Sequence, residues 1–354
     1  MYNYRNNRQR RKSLSQNWGS SFLRTKISRE QYLLEKRTLK DIQYWEWLFI
    51  VISLFSVLIN LGVNIYQLTM ALINQERYLF PVLCMVFNLF AIYFTFVGAL
   101  KELPFQILMQ LVTKIIIWIF NLIYFLTPKD KEYQEDETEN EVKAIRFYVS
   151  SSLLFLTVCV GGFVFYQYWT SNLSLFKTVG TEPKYVNMCR KLHLGQSLII
   201  LDVEITFVAV LLAASSGLST NDLFALIVLP VGVLLVVIWA CIGFFAMKKE
   251  SRMLTYTFYI LSHLQPVYVI YLLVRSPKSS VGGLLFNSII VVAGLFFIIH
   301  VILLVTVVKI QFNYDKGLKQ AAEKEIARTK SLAQSLNVST EFIDRPSVPR
   351  HTEI

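Results

Sequence analysis

Residues 195–217 read GQSLIILDVEITFVAVLLAASSG. A helix needs about 20 predominantly apolar residues to cross a bilayer, and this stretch supplies them. It also carries two carboxylates, Asp202 and Glu204. An acid at the centre of a membrane span costs roughly 2.5–3.5 kcal/mol on insertion scales, and more when it faces lipid. Other parts of the chain must therefore surround this span and shield or pair its acids.

Working outward, the 354-residue chain is 54% hydrophobic and only 17% charged. Soluble globular domains carry about 25% charge. The apolar residues fall into runs at 47–68, 80–100, 104–126, 147–169, 197–215, 223–247, 253–274 and 284–308. These runs predict an all-α polytopic membrane bundle of eight transmembrane helices, occupying 47–308. A basic arm, 1–46, precedes it. A tail, 309–354, follows, with helix-forming composition over 314–336.

The third run is the weakest, since it follows the second after Lys101-Glu102-Leu103 and contains Lys114. Charge placement tests it. With eight spans, 27 Lys and Arg fall on the side of the two termini and seven on the other, with Lys114 inside the membrane. Cytosolic loops are enriched in Lys and Arg, so both termini are expected in the cytosol. Without the third span, the basic loop 170–196, Lys248-Lys249 and the tail would move to the opposite side. This topology places the acidic stretch 129–143 outside the cytosol. It also places the sequons at Asn172 and Asn337 in the cytosol, where neither is glycosylated.

The arm holds eight Lys and Arg and no acid through Arg29. It suits the anionic headgroups of the lipid bilayer better than nucleic acid. Arg10-Arg11-Lys12-Ser13 has the pattern of a basophilic kinase site. The arm's composition is compatible with a mitochondrial inner-membrane protein, although a plasma or endomembrane location is favoured. No apolar leader is visible in the first 29 residues. The four cysteines form no disulfide framework and read as thiols.

Polar residues inside the spans follow helical spacing. Ser53, Ser56, Asn60, Asn64 and Gln67 fall at steps of 3, 4, 4 and 3, a continuous stripe on one face. Cys84, Asn88, Ala91, Thr95 and Gly98 form a second. Gln106, Gln110, Lys114 and Asn121 form a third. Such stripes either hydrogen-bond helices together or line a hydrated path.

Lys114 lies near the middle of its span, and Asp202 and Glu204 are the carboxylates within other spans. Positions two apart on a helix differ by about 200° around its axis, so at most one acid faces Lys114. A Lys114–Asp202 pair is expected, with Lys114–Glu204 as the alternative. Span 7 contains Pro266, which removes a backbone donor and predicts a kink at Ser262–Pro266. His263 and Gln265 sit at that kink. Gly161-Gly162 and Gly282-Gly283 read as close-packing or span-end glycines.

The four histidines are dispersed, and no HExxH or Cys-x-x-Cys occurs, so neither a metal nor another cofactor is implied. Phosphate-binding, dinucleotide and nucleophile-elbow motifs are also missing. An enzyme is not expected, though an intramembrane hydrolase built on Asp202, Glu204 and a histidine stays open. Two function classes remain. One is a transporter-like or channel-like protein with a polar path along Lys114, Asp202, Glu204, Asn60, Asn64, Gln110 and Asn88, with His263 at the kink. The other is a non-transporting receptor, scaffold or membrane-complex subunit.

Overall fold

The computed structural model describes residues 42–73, 79–126, 137–171, 173–215, 223–275, 284–328 and 331. Most of the basic arm, its kinase-like site, Gly282-Gly283 and the Asn337 sequon lie outside the described residues, as do Asn172 and residues 129–136 of the acidic stretch. Among the described residues the secondary structure is helical, with no strand. From Tyr44 to Gln311 the helices follow in this order: α1 Tyr44–Ile73, α2 Leu79–Lys101, α3 Pro104–Leu126, α4 Glu137–Ser171, α5 Leu173–Val179, α6 Pro183–Ser215, α7 Leu223–Lys249, α8 Arg252–Ser262, α9 Leu264–Arg275 and α10 Leu284–Gln311.

Seven of these helices (α1 to α4, α6, α7 and α10) are long and apolar enough to cross a membrane. This is an integral membrane helix bundle. The eighth expected span, 253–274, is not one helix. It is the pair α8 and α9, broken at His263. The break falls where Pro266 was expected to bend the chain. Its cause is the missing N–H of Pro266, which leaves the carbonyl of Ser262 without its helical donor. His263 adopts helical angles, but its N–H turns back to Ile260 and Leu261.

Several helices outrun the apolar runs that predict them. α4 begins ten residues before position 147, and α6 begins at Pro183 rather than at 197. In the tail, helical backbone covers 318–328, after a turn in which Asp315 and Gly317 take positive φ.

The helices pack in two groups. α1 to α4 contact one another, and α6 to α10 contact one another. α6 joins the groups by also touching α2 and α3, and α10 reaches α3. The span on α6 is accordingly the most buried of the seven, with 67% of its most apolar stretch inside the bundle. Its central position answers the demand made by its two acids. Small residues permit the close crossings. A Cβ at Gly161 would lie 2.9 Å from both Leu111 and Phe49, and one at Gly243 would lie 2.7 Å from Phe258. A separate small cluster joins the tail to the start of α6. Leu318 and Ala322 pack on Leu175, Val179, Val186 and Cys189.

Candidate functional site: an intramembrane polar network

The network begins on the stripe of α1. Ser53, Ser56, Asn60 and Asn64 are all buried, as the spacing requires. Ser53 and Ser56 face α3, where Gln110 Nε2 donates to Ser53 Oγ at 3.4 Å and Lys114 Nζ donates to Ser56 Oγ at 3.2 Å. Asn60 instead donates to the Ser56 carbonyl of its own helix at 2.8 Å, and Asn88 does the same to Cys84 at 2.8 Å. These two asparagines thus bond back along their own helices, while their neighbours bridge between helices.

Lys114 makes no ion pair within 4 Å with either acid. The expected Lys114–Asp202 pair and its Glu204 alternative are both replaced by other partners. The reason is rotational. Lys114 and Thr113 are adjacent and point about 100° apart. Lys114 shares the face of Gln110 and turns to α1. Thr113 turns to α6, where its hydroxyl donates to Glu204 Oε2 at 3.0 Å. Glu204 is fully buried, and its Oε1 has no hydrogen-bond partner.

Asp202 faces the other way, as its offset from Glu204 demands. Its Oδ2 lies 3.1 Å from His300 Nδ1 on α10. The second ring nitrogen, Nε2, lies 3.2 Å from the carbonyl oxygen of Ser262. A carbonyl only accepts, so Nε2 carries a proton and donates. A second proton must then lie between Nδ1 and Asp202, either as imidazolium with carboxylate or as neutral imidazole with carboxylic acid. In both forms the pair is neutral overall, which suits a site with no exposure of Asp202. The carbonyl that His300 caps is the one freed by Pro266. Trp239 Nε1 also donates to Ser262 Oγ at 2.7 Å, and that hydroxyl donates to the Phe258 carbonyl at 2.8 Å. Stacked rings enclose the site, with Trp239 and Phe258 at 5.0 Å and Phe296 and His300 at 5.1 Å.

His263, singled out from its place at the kink, is exposed on the outside of the bundle. His300, more than thirty residues later, does the work at the break. Gln265 is buried, and neither of its side-chain polar atoms has a partner.

Arg146 lies one residue outside the apolar run of α4, among the charges that hydropathy assigns to the loop. It is buried, and it is the densest node of the first group. Its Nη2 donates to Asn64 Oδ1 at 2.8 Å and lies 3.6 Å from Cys84 Sγ. Its Nη1 donates to Gln67. Its guanidinium lies over the rings of Phe80 and Tyr124, at 4.9 and 5.7 Å. Lys143, Arg146 and Ser150 recur at steps of 3 and 4, and all three are buried. That spacing was the available signal. Asn121 and Trp118 complete the seam, donating to Ser150 and Ser151 at 2.9 Å each.

Among the described residues, no group of three or more His, Cys, Asp or Glu is placed to hold a metal ion. Compared with known proteins, residues 179–309 match a family model described as a domain of unknown function (DUF7789). That segment spans α6 to α10 and so includes Asp202, Glu204, Trp239, Ser262, Gln265 and His300. Lys114 and Arg146 lie outside it. No curated protein and no solved structure matches the chain.

Proposed function

We propose that this is a transporter-like membrane protein in which the intramembrane acid Glu204, facing α3 with its Thr113 and Lys114, carries protons or a proton-linked solute. One observation carries the reading. Glu204 is buried at the meeting of the two helix groups, with one oxygen on a hydroxyl and the other without a partner. A structural carboxylate in a membrane is ordinarily satisfied on both oxygens, and an intramembrane acid that is not is a functional candidate. Lys114, on the next residue after Thr113, is likewise held by a hydroxyl rather than by a carboxylate. The role is non-enzymatic. Both nitrogens of His300 are engaged, Nε2 with the Ser262 carbonyl at the helix break and Nδ1 with Asp202, which favours a clamp over a general base.

The proposed topology has eight crossings, with the pair α8 and α9 as one of them and both termini in the cytosol. The packing of the tail on α5 and the start of α6 supports it, since these segments then share one side. The basic arm would rest on anionic headgroups of a plasma or endomembrane, the mitochondrial inner membrane being the alternative.

The test uses purified protein in liposomes with an internal pH-sensitive dye and an imposed pH gradient. The parent protein should dissipate the gradient faster than empty liposomes. Glu204→Gln should slow dissipation at least ~10-fold while leaving the thermal midpoint in place. A parent no faster than empty liposomes would overturn the proton-carrying reading.

A second reading, a non-transporting subunit or scaffold, draws on the seam of α4. Arg146, Asn121 and Trp118 bind neighbouring helices through hydrogen bonds. Substituting them should then abolish assembly rather than flux.

A further inference from the structure

Where α7 crosses the break between α8 and α9, the bundle forms a cleft of about 320 Å³ that opens to its outer surface past Leu264 and Val267. Its walls include Gly232, Val236 and Trp239 of α7, Leu261 of α8, and Gln265 and Tyr268 of α9. No charged residue lines it. The volume lies at the lower end of the roughly 300–1,000 Å³ typical of small-molecule sites.

Two side chains in this wall, Gln265 and Tyr268, carry unsatisfied polar atoms. Gln265 is only 6% exposed, yet neither Oε1 nor Nε2 has a hydrogen-bond partner. The Tyr268 hydroxyl also has none. Buried amides are ordinarily paired, and leaving one unpaired costs about 1–3 kcal/mol per group. A carboxamide both donates and accepts, and so does a hydroxyl. A hydroxyl in the cleft would therefore satisfy both atoms of Gln265 at once. An ionised headgroup would find no counter-charge in this wall.

Gly232 keeps the space open. A Cβ there would lie 3.2 Å from Tyr268 Cζ and 3.3 Å from its hydroxyl oxygen. The indole that forms the inner wall is the same one that donates to Ser262, so the cleft abuts the helix break.

We propose that this cleft binds a neutral membrane lipid with a hydrocarbon body and a free hydroxyl, held by Gln265 with Tyr268 beside it. The chemistry is met by a sterol or by a diacylglycerol, and the experiment separates them. Full-length protein in nanodiscs is irradiated with a photoreactive sterol or a photoreactive diacylglycerol, and the labelled peptides are identified by mass spectrometry. One probe should label 232–239 or 261–268 saturably. Its unlabelled parent should compete, and the O-methyl ether of that parent should compete about ten-fold less well, since it cannot donate. Gln265→Leu should lower labelling about ten-fold, and Gly232→Leu should abolish it. Should Gln265→Leu fail to fold, Tyr268→Phe and the ether comparison carry the test, because both leave the bundle intact. Saturable labelling by neither probe, or equal competition by alcohol and ether, would overturn the assignment.

Discussion

His300 Nε2 donates to the Ser262 carbonyl oxygen across 3.2 Å, and that carbonyl is the one Pro266 leaves without a helical donor. A residue on α10 thus replaces a hydrogen bond that the α8–α9 segment cannot make for itself. Asp202 holds the same ring from α6 at 3.1 Å, so three elements meet at one imidazole.

This relationship predicts a non-additive pair. His300→Ala strands both the Ser262 carbonyl and Asp202, at a cost of about 3–5 kcal/mol. Pro266→Ala restores an N–H that can bond Ser262. In that background the cost of His300→Ala should fall by about 1 kcal/mol. Denaturation of the four proteins of the cycle in detergent measures the difference. Equal costs in both backgrounds would remove the donor-replacement account.

Arg146 should be the most sensitive position of the first helix group. Arg146→Leu leaves Asn64 and Gln67 without their donor and should cost about 3 kcal/mol. Arg146→Lys keeps the charge but not the two-pronged geometry, so it should recover only part of that loss. Thermal midpoints of the two variants, measured side by side, rank them.

Thr113 and Glu204 should couple. Thr113→Val keeps the shape and removes the hydroxyl, at about 1–3 kcal/mol. Combined with Glu204→Leu, the same change should cost close to nothing, since no buried acceptor is left behind. A cost that survives in the double variant would mean that Thr113 acts elsewhere.

Adjacent glycines on α4 should behave oppositely. Gly161→Ala forces contact with Phe49 and Leu111 and should destabilise by about 1–3 kcal/mol. Gly162→Ala meets nothing within 4 Å and should be neutral, or stabilising by about 0.5–1 kcal/mol. The two glycines are alike in sequence, and only the neighbours across the helix tell them apart.

Much of the architecture is legible from residue spacing, because spacing reports which residues share a face. The α1 stripe, the opposed directions of Asp202 and Glu204, and the break at Pro266 were all readable in this way. Spacing does not report which neighbour each face meets. That is why Lys114 was expected on a carboxylate and is found on Ser56, and why His300, 98 positions from Asp202, was not named as its partner. Arg146 was missed for a different reason. A hydropathy boundary drawn at position 147 classed it with the loop charges, although its aromatic and amide partners hold it inside the bundle.

The docking of the tail on the start of α6 has a consequence for the order of biogenesis. Leu318 and Ala322 emerge from the ribosome only after α10, so the cluster around Cys189 stays incomplete until the membrane domain has been made. Sealing that cluster is therefore a late event, left to the helical segment that is synthesised after α10.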